Sequence, residues 1–153
     1  MIKTLTLALL LALPLSAMTV PSFTEAELRE HADVVVEGVV AVSQSRRVGQ
    51  RIITFVSIVS GTAPLLTTTL VAVPGGNVGG ITQRVPGAPV LEVGRRYRLY
   101  LGPATGPRLD NGGSSARGVF GFFRGVFLLA DVAGGLVPLG EDGLPANSIG
   151  SHR

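Results

Sequence analysis

The chain has 153 residues, no cysteine, 21 glycines, 10 prolines, only 15% charged residues and a formal net charge of +3. The missing cysteine excludes a thiolate nucleophile, a Cys-ligated zinc and a disulfide framework, and the apolar content excludes a disordered chain. Lys3 is the only lysine, so beyond it twelve arginines face ten acidic residues, a net of +2. That arginine bias reads first as compositional and second as an adaptation for binding phosphate or carboxylate.

Residues 1–17 form a secretory signal pattern. Lys3 supplies the basic start, Thr4 to Leu13 an apolar run too short to span a bilayer stably, and Ala17 a small residue at the cleavage point. The reading predicts an exported protein starting near Met18, with no stable membrane insertion after cleavage. Residues 18–145 suit one domain with a modest core, followed by a frayed tail over 146–153.

Thr24-Glu25-Ala26-Glu27 matches a capping box, with Phe23 and Leu28 placed for a hydrophobic staple, and predicts a short helix from Glu25 to His31. Glu25 reads as an exposed first-turn acid, whose replacement by Gln loses little beyond a dipole contribution. Val34 to Val42 is β-branched, with Gly38 in its middle marking a bulge or bend where one strand serves two sheets. The polar stretch Ser43 to Gln50 reads as a hairpin loop, and Arg51 to Ser60 as a central strand with two fairly apolar faces.

Gly61 to Leu66 breaks the pattern at Pro64, and Thr67 to Val73 predicts a third strand. Gly75 to Gly80 lacks the Gly-Lys-Ser/Thr ending and the following helix of a phosphate loop, so it reads as a glycine-rich connection. Glu92 to Arg95 predicts a tight turn into a strand over Arg96 to Leu101. Gly102 to Ala116 reads as a mobile loop, Val119 to Ala130 as the last long strand, and Leu136 to Leu139 as its return after a turn at Ala133 to Gly135. The fold class expected is all-β with one short N-terminal helix, as a small closed or partly open OB-like barrel.

Ala32 to Val39, Ser60-Gly61 and Gly94 to Tyr100 together resemble the pattern of netrin-like modules typified by tissue inhibitors of metalloproteinases. The resemblance implies an OB-type barrel and, as an alternative function, an inhibitor or accessory factor of an extracellular protease. Those inhibitors chelate the protease zinc through a disulfide-pinned N-terminal Cys. This chain has none, so the wedge is not carried over.

On the strand Arg96 to Leu101, alternation puts Arg96, Arg98 and Tyr100 on one face and Tyr97 and Leu99 on the other. Arg96, Arg98 and Tyr100 are the candidate ligand surface, although solvated arginines over a packed Tyr97 and Leu99 explain the same letters. Export argues against a nucleic-acid partner for such a basic, aromatic strand. In Val119 to Leu129, alternation sets Phe123 and Phe127 beside Gly121 and Gly125, a core-packing pattern.

Catalytic and metal-binding signals are sparse. His31 and His152 lie outside metal spacings, no nucleophile elbow is present, and Asp33 and Glu37 on one strand would lie roughly 13 Å apart. No catalytic residue, cofactor or metal is assigned. The expected function is a non-enzymatic binding module for a protein or polysaccharide at the cell envelope or outside it, with a hydrolase as the remaining alternative.

Overall fold

The computed structural model describes residues 23–110, 113–132 and 135–139. The expected leader, the turn residues Ala133-Gly134 and the expected tail lie outside these residues. The order is α1 (Glu25–His31), β1 (Val34–Val48), β2 (Arg51–Thr62), β3 (Leu65–Pro74), β4 (Gly76–Val78), β5 (Ile81–Gln83), β6 (Arg96–Leu101), β7 (Arg117–Gly118), a 3-10 turn (Phe122–Gly125), β8 (Val126–Val132) and β9 (Gly135–Leu139). The molecule is thus mostly β with one short helix. Among the described residues no helix is long and apolar enough to cross a membrane.

The helix has the bounds its local signals predict. The Thr24 side chain accepts from the Glu27 backbone and the Glu27 side chain accepts from the Thr24 backbone, so the capping box is closed in both directions. Leu28 is fully buried, and the Leu28 and Phe23 side chains both close on Gly121 from the far end of the chain. A seven-residue helix is too short to persist on propensity. Its stability comes from this docking.

One sheet runs in the order β7-β3-β2-β1-β6-β8-β9, with β4 and β5 as a separate hairpin. Every pair is antiparallel except β3 with β7. After Arg117 and Gly118 run beside Val71 and Ala72, Val119 bridges Leu101 at the end of β6, and the Phe120 amide donates to the Tyr100 carbonyl at 2.8 Å. The segment from Arg117 to Phe120 therefore touches both β3 and β6. The core lies against Val36 and Val40 of β1, Val56 and Ile58 of β2, Val71 and Val73 of β3, and Tyr97, Leu99 and Leu101 of β6, with Leu91 joining from a loop.

Strand β1 changes partner along its length. Val34 to Val39 pair with β6, whereas Val39 to Val48 pair with β2. Gly38 sits at this exchange without a positive φ; what it provides is room. A Cβ there would stand 2.5 Å from the Val59 carbonyl oxygen and 2.7 Å from Ile58 Cγ2. The register irregularity itself falls between Val40 and Val42, so the bulge is at Ala41 rather than at the glycine.

Three expectations are corrected. Ser43 to Val48 is strand, not loop, because its backbone pairs residue by residue with Val56 to Arg51; the turn shrinks to Gly49-Gln50, with Gly49 at φ 60°. A left-handed glycine at the first of two turn residues suits the twist of such a hairpin. The break expected over Gly61 to Leu66 is likewise reduced to Ala63-Pro64, since Gly61 and Thr62 still pair with Leu66 and Leu65.

Val119 to Ala130 is not one strand. Gly121 (φ 70°) and Phe122 (φ 54°) turn the chain left-handed, and the 3-10 turn intervenes before β8. A Cβ at Gly125 would meet the Phe120 carbonyl oxygen at 2.0 Å, so that glycine is required by close backbone approach. Phe120 tilts on Phe23 and stacks on His31, while Phe127 sits edge-on to Tyr100. The alternation expected for these rings does not apply.

Candidate functional site

Of the three residues proposed as a ligand surface, two are used to hold the helix. Tyr100 is fully buried, and its hydroxyl donates to Glu25 Oε1 at 2.7 Å. The Arg98 side chain, 19% exposed, donates from Nε to Glu37 at 2.6 Å and from Nη1 to Glu25 at 3.1 Å. Arg29 reaches the same Glu25 oxygen at 3.3 Å. The helix covers the face that alternation assigns to these residues.

Glu25 is therefore a hub and not an isolated first-turn acid. The bond from the Tyr100 hydroxyl holds its carboxyl below the usual range; burial, the next largest influence, opposes it, and the charges of Arg98 and Arg29 add to the lowering. Burial, then the bond to Glu25, pushes the Tyr100 phenol up. Burial alone would lower the Arg98 pKa, but Glu37 and Glu25 overcome it and raise it. Nearby, Arg117 pairs with Asp33 and also donates to the Gly102 carbonyl at 2.9 Å.

Arg96 alone of the three keeps an exposed side chain, lining a hollow of about 470 Å³ with Arg95, Leu128 and Asp131. His31 is exposed and its Nδ1 lies 2.9 Å from the Glu27 carbonyl. Among the described residues no group of three or more His, Cys, Asp or Glu could hold a metal.

The larger cleft, about 610 Å³, lies elsewhere and was not legible in the sequence. It follows from the Ala41 bulge. Before it, Val36, Gly38 and Val40 are the buried positions of β1; beyond it, Ser43 pairs with Val56, Ser45 with Thr54 and Arg47 with Ile52. Cross-strand partners share a face, so the bulge brings Ser43, Ser45 and Arg47 to the face of buried Val56 and Ile52. Val42 is turned out and left 55% exposed.

The cleft walls come from β1, β2 and β3 on one side and from the β4–β5 hairpin with residues 84–91 on the other. Gly79 (φ 58°) and Gly80 (φ 80°) form the two-residue turn of that hairpin. Gln83 ties it down by accepting from the Ile52 amide at 2.7 Å. Gly76 lies against Ser45 and Thr54, where a Cβ would meet Ser45 Oγ at 2.3 Å. The glycine-rich connection is thus a lip closing over polar strand residues.

Within the cleft, Thr54 Oγ1 donates to the Gly75 carbonyl at 2.7 Å, and Ser45 Oγ lies 2.9 Å from Thr54 Oγ1. Val73, Val85 and Leu91 supply apolar wall, and Arg84 the charge. Among the described residues Arg84 makes no hydrogen bond or ion pair. On the other face of β1, Arg46 tethers the loop before β7: its guanidinium donates to the Leu109 carbonyl at 2.8 Å and to Asp110 at 3.3 Å. No family model matches this chain, and neither a curated protein nor a solved structure is similar to it.

Proposed function

We propose that this protein is an exported, non-enzymatic binding module built on an OB-type barrel, with the cleft beyond the Ala41 bulge as its ligand site. The barrel reading is supported by pairing. Strand β1 is shared between β2 and β6, β3 runs parallel to β7, and Val119 bridges Leu101, so residues 117–120 touch both ends of the β3-β2-β1-β6 run, as a barrel requires. These contacts support the reading as an OB fold, which is a five-stranded, partly open barrel. Export rests on the signal pattern of residues 1–17.

The observation that carries the binding assignment is the exchange of faces at Ala41. A strand optimised for packing would keep Val42 inside and the serines outside; here Val42 is exposed while Ser45 and Thr54 line a cleft of about 610 Å³. A cleft of that volume falls in the size range of small-ligand sites, and its lining sets the polar side chains of Ser43, Ser45, Thr54, Thr82, Gln83 and Arg84 beside an apolar wall. Where a local pattern opposes packing, function is the expected compensation.

The test is site-directed photocrosslinking in the native host. A photoreactive residue placed at Ser43 is expected to form a discrete adduct with an envelope or extracellular component, and the same residue at exposed Glu30 is not. Equal labelling from both positions, or none from Ser43, overturns the assignment.

A further inference from the structure

We infer that the cleft takes the C-terminal end of a peptide, with its free carboxylate on Arg84 and a small apolar last side chain against Val73, Val85 and Leu91. The inference rests on reading the cleft as the binding site and adds the chemistry of its ligand.

Hydroxyl bonding fixes a polarity. A threonine hydroxyl has one hydrogen, and Thr54 gives it to the Gly75 carbonyl, which can only accept. The contact between Ser45 Oγ and Thr54 Oγ1 must then use the hydrogen of Ser45. Ser45 is left with lone pairs alone, so the ligand group meeting it has to be a donor. The backbone N–H of a peptide is such a group.

Charge selects the other end. Arg84 is exposed on the lining, has no partner among the described residues, and presents a planar fork that matches a carboxylate. No Asp or Glu lines the cleft, so a cationic ligand finds no counter-charge there. No aromatic ring lines it either, so a sugar ring lacks a flat surface on which to stack. A donor, an apolar side chain and a carboxylate are carried together by the end of a polypeptide.

The probes are N-acetyl-Ala-Ala as the free acid and the same dipeptide as its C-terminal amide, titrated into the purified full-length protein while backbone amide NMR signals are followed. The acid is expected to shift Ser43, Ser45, Thr54 and Arg84 saturably, and the amide to bind about 10-fold more weakly, the loss of one charge-assisted contact. Arg84→Gln should bring the acid down to the affinity of the amide while leaving the melting temperature unchanged, since Arg84 is exposed. Equal affinity for acid and amide, or shifts confined to residues outside the cleft, overturns the inference. If an oligogalacturonate moves the cleft signals and neither dipeptide does, the peptide assignment is overturned while the cleft remains the site; the Ser43 crosslink decides the latter separately.

Discussion

The two halves of β1 are built on opposite terms. From Val34 to Val40 the strand has Val36, Gly38 and Val40 buried on one side and, through its partner β6, carries the Glu25–Tyr100–Arg98 cluster that fastens the helix on the other. From Val42 to Val48 the same strand presents exposed Val42, Gln44 and Val48 with the tethering Arg46 on one face and lines a hydroxyl-bearing cleft on the other. One extra residue at Ala41 separates them. The difference teaches where stability and binding reside: substitutions in the first half should unfold the protein, and those in the second should change what it holds.

The largest effect is expected at Gly38. Valine there puts a Cβ 2.5 Å from a backbone oxygen of β2, which cannot swing aside as a side chain could. Overpacking of this kind destabilises by about 1–3 kcal/mol or more, and backbone is the least yielding neighbour. Chemical denaturation of Gly38→Val is expected to show at least that loss. A midpoint equal to the parent would mean that β1 and β2 part easily there, and the contrast between the halves would fail.

Next is the helix clamp. Tyr100→Phe removes the donor to Glu25, and Glu25→Gln removes the charge shared by Tyr100, Arg98 and Arg29; each is expected to lose about 1 kcal/mol, because Glu25 remains partly solvated. The pH dependence has a definite sign. The folded carboxyl of Glu25 titrates below its unfolded value, so its contribution is present above about pH 4.5 and is lost as pH falls through the folded value. The phenol of Tyr100 titrates above its unfolded value, so its contribution is present below about pH 10 and is lost as pH rises through the folded value. Thermal melts of the parent should weaken at both extremes, and Glu25→Gln should flatten the acid limb; an unchanged acid limb would remove Glu25 from the clamp.

The same division explains what could be read from sequence. The helix was legible to the residue because capping is local, and Arg96 to Leu101 because the alternation of arginines with Tyr97 and Leu99 after a turn at Gly94 is local too. Ser43 to Val48 was not, since polar residues on a strand mimic a loop until the partner that pairs with them is known. Val119 to Ala130 failed for a related reason: Gly121 and Gly125 look like gaps for neighbouring rings, yet one turns the chain left-handed and the other admits a carbonyl. The cleft depends on a bulge at Ala41, and alanine carries no signal of that geometry. Tyr100 and Arg98 were found as one face of a strand, but a helix 75 residues away in sequence covers it.

The smallest effect on stability, and the sharpest test of the contrast, is expected at Ser45. Its hydroxyl donates to Thr54, but Thr54 is already satisfied by its own bond to Gly75, so Ser45→Ala leaves no buried donor stranded. The loss should stay within about 0.5 kcal/mol, well under that of Gly38→Val on the same strand. Binding should respond in the other order, because the alanine removes the one acceptor whose polarity the relay fixes: N-acetyl-Ala-Ala affinity should fall about 3- to 10-fold, equivalent to a lost hydrogen bond of roughly 0.7–1.4 kcal/mol. Denaturant unfolding and the dipeptide titration on one preparation measure both. If Ser45→Ala unfolds the protein as readily as Gly38→Val, the hydroxyl relay is a structural strut, and the second half of β1 is no freer for binding than the first.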